Sequence, residues 1–252
     1  MNLDNAIKDI EKQIKEYVKD KNAVIGISGG IDSAVVASLC VNALGADKVI
    51  GIQMPYGEQS TKDGRELINH LGINKHIDDT VDIKPIVCSF PKELVSSTKL
   101  TNGNIRARVR MTLLYAAANE LNGMVIGTSN KTEIFLGYYT KFGDGGCDIE
   151  PIGDLYKTDI FKMAKILGVP KSIVNKKPSA ELWEDQTDEG EIGMSYADMD
   201  RILKAIEEEI LPINDIRDVC GKKNVDKILS MIINSEHKRH MPPTFRVLRD
   251  EN

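Results

Sequence analysis

Apolar residues recur at helical spacing from the start of the chain. Leu3, Ile7, Ile10, Ile14 and Val18 alternate with lysines and acids, which predicts an amphipathic helix whose stripe packs on another element. The pattern then shifts. Ala23 to Ile27 is a short unbroken apolar run ending in a Gly/Ser turn, and helix periodicity follows from Ala34 to Leu44, closed by Gly45. The same succession recurs: Lys48 to Met54 reads as a buried strand and Thr61 to Leu71 as a helix stopped at Gly72. Asn104 to Leu121 reads as a long helix and Met124 to Thr128 as another strand, while residues 75–90 show no clear period. Such alternation predicts an α/β fold, a doubly wound, mostly parallel sheet flanked by helices, with ligands beyond the carboxyl ends of the strands.

From Gly143 the chain becomes turn-rich (Gly143 to Asp148), so the sheet is expected to be complete by that point. A helical run from Asp154 to Leu167 ends at Gly168 and Pro170, and helices resume from Tyr196. Pro178 to Gly193 is polar, acidic and aperiodic, a long loop of the functional kind. No repeat divides the chain, and a single domain over 1–252 is the expectation.

A net charge of −5 argues against a nucleic-acid-binding surface, which would carry a basic patch. No apolar run approaches the roughly 18 residues a membrane helix needs, and the charged start has no signal-peptide core, so a cytoplasmic protein is expected. Cys40, Cys88, Cys147 and Cys220 are widely separated and form no C-x-x-C pair. His237 and His240 lack a third ligand at metal-site spacing, and Lys238-Arg239 beside them disfavours a cation.

The strand-to-helix turn Ser28-Gly29-Gly30-Ile31-Asp32-Ser33 carries the strongest chemical signal. Small residues there let backbone N–H groups approach an anion at a helix start. The turn is neither a Walker A loop, whose lysine is missing, nor G-x-G-x-x-G. Asp32 stands near the helix start instead. A carboxylate beside a triphosphate requires an intervening cation, and Mg²⁺ typically takes one or two carboxylates together with phosphate oxygens. The plainer alternative, in which Asp32 and Ser33 only cap the helix, remains open at this point.

SGGIDS resembles the signature of the PP-loop ATP pyrophosphatases, which cleave ATP between the α and β phosphates. Four further blocks narrow the resemblance: Gly103 to Met111, Gly127 to Glu133, Tyr139 to Asp148 and Ser235 to Arg239. Together they are similar to the NAD⁺ synthetases, in order from about residue 20 to residue 246. That resemblance implies ATP, deamido-NAD⁺ and a nitrogen donor as substrates, an acyl-adenylate intermediate and a homodimer with the dinucleotide at its interface. Glutamine-using members carry an amidohydrolase domain before the loop, so free ammonia is the expected donor.

The resemblance further implies that Gly26, Ile27, Ser28, Gly29, Gly30, Ile31, Asp32 and Ser33 hold ATP, with Thr128, Lys157 and Ser179. It assigns Mg²⁺ to Asp32 and Glu133, and deamido-NAD⁺ to Arg108, Lys141, Asp148, His237 and Lys238. Asp32, Lys157 and Asp148 are the expected catalytic residues, and loops near 58–63 and 179–193 the expected mobile elements. Arg106, Arg108 and Arg110 cannot all face one ligand, because i, i+2 spacing sends neighbours to different helix faces. Two readings compete: another PP-loop ligase that aminates a nucleobase or modifies tRNA, and a nucleotide sensor without catalysis. The block 103–148 opposes the first, and the retained Asp32, Glu133, Lys141 and Lys157 oppose the second.

Overall fold

A computed structural model describes residues 2–77, 81–94, 98–178, 187–208 and 211–247. Helix α1 (Leu3–Val18) precedes strand β1 (Asn22–Gly26), α2 (Ile31–Leu44), β2 (Val49–Ile52), α3 (Lys62–Leu71) and β3 (Lys75–Ile77). Then come α4 (Lys84–Cys88), α5 (Lys99–Glu120), β4 (Gly123–Ile126) and α6 (Lys131–Leu136). After these come α7 (Lys157–Ile166), α8 (Lys171–Val174), α9 (Asp188–Ile192), α10 (Tyr196–Glu207), α11 (Ile213–Cys220) and α12 (Lys222–Asn234).

The strands lie in the order β3-β2-β1-β4, all parallel. Alternate residues of β1 sort the molecule into layers. Ala23 and Ile25 join α1, α2, α3 and α7 in one core, while Val24 joins α4 and α5 on the other face. Each fully buried isoleucine contributes about 1.5–3 kcal/mol relative to exposure, so both faces must be covered. The chain winds outward from β1 to β3 over one face and returns under the other through α5, so the order reverses between β1 and β4. That switch point is where ligands enter such sheets.

The described helices and strands match the expected alternation, with three shifts. Helix α2 begins at Ile31 rather than Ala34, because Gly30 takes the cap position. Helix α5 begins at Lys99, five residues before Asn104, since the Thr98 side chain accepts from the Thr101 N–H and Gly103 is buried within the helix. Residues 151–155 form turns, and α7 starts only at Lys157. The sheet also does not end before Gly143. Asp148 N–H donates to Val125 O at 2.9 Å and Gly127 N–H to Ile149 O at 2.8 Å, which adds a parallel bridge beside β4.

A third core joins α6 to α9, α10, α11 and α12 through Leu136, Tyr156, Met199, Leu203 and Ile228. Among the described residues no helix is long and apolar enough to cross a membrane.

Candidate functional site

The segment between β1 and α2 is a closed set of local bonds. Gly30 N–H donates to Ser28 Oγ at 3.1 Å, Ser33 Oγ donates to Gly30 O at 3.0 Å, and the two hydroxyls stand 3.0 Å apart. Gly29 has φ +78°, and a Cβ there would meet Asp63 Cβ at 3.0 Å and Gly64 N at 3.1 Å. Among the described residues no side chain caps α2, so its first N–H groups can meet an anion.

Asp32 does not cap the helix it begins. Its Oδ1 accepts from Asn130 Nδ2 at 3.0 Å and its Oδ2 from Lys157 Nζ at 2.6 Å. Lys157 Nζ also donates to Glu133 Oε1 at 3.0 Å. Three helix starts therefore converge, α2 bringing Asp32, α6 Glu133 and α7 Lys157. Asn130 and Glu133 form a capping box, in which each side chain bonds the other's backbone N–H, and this fixes the Glu133 rotamer.

Lys157 is 1% exposed. Burial alone would lower its ammonium pKa, but Asp32 first and Glu133 second outweigh this and hold it above the ordinary lysine range. Burial pushes the Glu133 carboxyl up to about 8, against the pull of Lys157. Behind the ammonium lies the Tyr196 ring, its centroid 4.9 Å from Nζ, and the Tyr196 hydroxyl donates to buried Asp188 at 2.8 Å.

Asp32, Glu133, Lys157 and Asp188 line a cleft of about 530 Å³ at the switch point. Its lining includes Gly26, Ile27, Ser28, Gly30, Ile31, Asp32, Ser33, Thr128, Glu133, Lys157 and Lys238. Arg110, rather than Arg108, is the arginine of its run that reaches it, donating to Met54 O and Gln59 Oε1. Arg106 lies over the Tyr56 ring, and exposed Arg108 donates to Lys141 O at 3.3 Å. Arg106 and Arg110, four apart on one helix face, both turn toward the segment from Met54 to Gln59, and Arg108 turns away from it.

Arg108, Lys141, Asp148 and His237 sit apart from the cleft, and Lys238 lines it. Asp148 does not line it: its carboxylate accepts from Val125 N–H at 2.8 Å and Tyr115 OH at 3.2 Å, beside β4. Within one chain it is not brought to Asp32 or Lys157, so the expected catalytic trio is not assembled. Lys141 Nζ donates to the His237 carbonyl, and the His237 side chain is exposed. Lys238 donates to Gly137 O and Tyr139 O, both at 2.6 Å, and burial lowers its ammonium. Arg239 donates to carbonyls of α6 and α12.

Ser179 and the expected loop as far as residue 186 lie outside the described residues. Its remainder forms α9, with Asp188 and Ile192 buried. Near 58–63, Ser60 and Thr61 line the cleft at the start of α3. Sequence reasoning did not single out Asn130, Asp188, Tyr196 or Arg110. The Asn-x-x-Glu spacing of Asn130 and Glu133 is a capping-box signal that points to the first.

Residues 6–242 match the NAD synthase family. The chain belongs to that family. It is 46% identical to the NH(3)-dependent NAD(+) synthetase of Methanosarcina mazei, covering 96% of this chain and 98% of that protein. It is 42% identical to that of Archaeoglobus fulgidus, covering 98% of both. Among solved structures, the NH3-dependent NAD synthetase from Campylobacter jejuni matches with a TM-score of 0.83 and 31% identity, over 98% of this chain and 100% of that one. NMN synthetase from Francisella tularensis matches with a TM-score of 0.84 and 34% identity, with the same coverage. As an NAD synthase the chain is a ligase that joins nitrogen to carbon at the expense of ATP.

Proposed function

We propose that the cleft between β1 and β4 binds ATP along Gly26 to Ser33 and activates the nicotinate carboxylate of deamido-NAD⁺ as an acyl-adenylate, which free ammonia then cleaves. The overall reaction is the ATP-dependent amidation of deamido-NAD⁺ by ammonia to NAD⁺, the last step of NAD biosynthesis. The observation that carries the site assignment is the convergence of Asp32, Glu133 and Lys157 on one point above the phosphate-binding turn.

The carboxylate oxygen attacks the α-phosphorus, pyrophosphate departs, and ammonia later displaces AMP from the acyl carbon. Backbone N–H groups of the α2 start and the Lys157 ammonium are the fixed positive groups available to phosphate oxygens. Asp32 and Glu133 fit Mg²⁺, because both already point at a single cation, the Lys157 ammonium. No cluster of three or more His, Cys, Asp or Glu that could cage a metal occurs among the described residues, so nucleotide oxygens would complete the shell. When bound, Mg²⁺ supplies charge neutralisation on the phosphates. Thr128 sits at the cleft edge of β4 and Ser179 is assigned to ATP by resemblance.

Arg108, Lys141, Asp148 and His237 lie outside the lining of the single-chain cleft, and Lys238 is part of it. We assign them to deamido-NAD⁺ in a homodimer whose second copy completes that half of the site. The protein is assigned to the cytoplasm, where ATP and dinucleotides are available. Likeness to the Francisella NMN synthetase favours a second reading, with a nicotinate mononucleotide as acceptor of the nitrogen. The test is turnover of purified protein with ATP and Mg²⁺ on each acceptor, with ammonium or glutamine. NAD⁺ formation from deamido-NAD⁺ with ammonium alone is expected. Equal turnover with glutamine, or preference for the mononucleotide, would overturn the assignment of donor or acceptor respectively.

A further inference from the structure

We infer that Asp200, a residue of α10 outside the cleft, is a positioning residue that sets the spacing of Glu133 and Lys157. The inference rests on the roles proposed above for those two residues. Asp200 is 2% exposed, and its two carboxylate oxygens serve two different helices. Oδ1 accepts from the Thr132 hydroxyl at 2.6 Å, at the start of α6, and Oδ2 accepts from the Thr158 N–H at 2.8 Å, at the start of α7. Thr132, fully buried, accepts in turn from the Lys157 N–H at 3.0 Å.

The residues held are the immediate neighbours of the charged pair. Thr132 precedes Glu133 and Thr158 follows Lys157, so a single carboxylate ties both chain segments whose side chains meet at 3.0 Å. Helix α7 has no side-chain cap of its own at Tyr156, and Asp200 supplies that acceptor from 42 positions away in sequence. A buried carboxylate is costly unless its oxygens are bonded and positive charge is near. Here two helix N-termini and two donors meet those conditions. The same helix α10 places Tyr196 behind the ammonium, so one element braces α7 at the Thr158 N–H and at the Lys157 Nζ.

Glu207 of α10 also links the two starts, through Lys131 Nζ at 2.5 Å and the Tyr156 hydroxyl at 2.7 Å, but only at side-chain tips, whereas Asp200 holds the α7 backbone directly. Misplacement of reacting groups by about an ångström costs on the order of 100-fold in rate, and removing partners that orient ligating groups costs about 10- to 100-fold.

The experiment compares Asp200→Asn, Thr132→Val and Thr132→Ser in the full chain with ATP, Mg²⁺, deamido-NAD⁺ and ammonium, with Lys157→Met as control. Valine keeps the shape of threonine and loses the hydroxyl, whereas serine keeps the hydroxyl. We expect Asp200→Asn and Thr132→Val to lower kcat by about 10- to 100-fold, with the calorimetric ATP Kd within about threefold of the parent. Thr132→Ser should stay within about threefold, and the double variant should be no worse than the more severe single, as for one shared interaction. Should Asp200→Asn fail to fold, the two Thr132 variants decide the matter. Equal kcat for the valine and serine variants, or ATP affinity falling in step with kcat, would overturn the positioning role. Full activity in Lys157→Met would instead overturn the site assignment itself. An inactive Lys157→Met beside parent rates in Asp200→Asn and Thr132→Val would remove this inference alone.

Discussion

One wall of the cleft is made of backbone, the other of side chains. At the start of α2, Ser28, Gly30 and Ser33 are tied to one another by local bonds, and a side chain at Gly29 would crowd Asp63 and Gly64. Across from it, Asn130, Glu133 and Lys157 are held by a capping box, an ion pair and a buried carboxylate from α10. The first wall needs nothing distant to take shape. The second depends on residues far apart in the chain, Asp32 and Lys157 being 125 positions apart. A local wall suits an anion that any nucleotide presents, and an assembled wall sets where charge sits during reaction.

The largest expected effect comes from breaking the bond between the two walls. Asp32→Asn keeps an acceptor for Asn130 but removes the charge facing Lys157 and the proposed metal. It should lower kcat by about 10²- to 10³-fold while circular dichroism stays that of the parent. Parent-like kcat would mean that the walls act independently.

Next comes the backbone wall itself. Gly29→Ala forces a Cβ into the left-handed region, at a cost of about 1–2 kcal/mol, and onto Asp63 and Gly64. Since 1.4 kcal/mol is a factor of ten, the KM for ATP should rise by about tenfold with kcat less affected. A fall in kcat with unchanged KM would assign the loop to the reacting centre rather than to holding the nucleotide.

The smallest effect concerns the residues behind β4. Burial raises the Glu150 carboxyl from 4.5 to about 7, opposed by its bonds to Ser129. A group raised in the folded state contributes stability that is complete below its unfolded value and is lost as pH climbs through the folded one. Urea midpoints of the parent should therefore decline between about pH 4.5 and 7 more than those of Glu150→Gln. Parallel declines would show that Glu150 titrates normally.

The same division explains what could be read from the sequence. The small-residue turn after β1 and the alternation of strands and helices were legible, since both rest on neighbouring residues and on periodicity. Asp32 was singled out because no lysine stood in its loop, and the structure adds its partners, Asn130 and Lys157. Asp188, Tyr196 and Asp200 carried no local signal, because an acid or tyrosine at a helix start looks like ordinary capping or solvated surface until the fold buries it. Arg110 differs from Arg108 only by helix face, which depends on where α5 packs. For Lys238 and Arg239, composition could not show that carbonyls of neighbouring helices and turns occupy both side chains.

The most direct test of the central claim, that the two walls together direct attack at the α-phosphorus of ATP, is to quantify phosphorus-containing products by ³¹P NMR during turnover of ATP, deamido-NAD⁺ and ammonium. AMP and pyrophosphate should appear in step with NAD⁺. Formation of ADP and inorganic phosphate in step with NAD⁺ would contradict it.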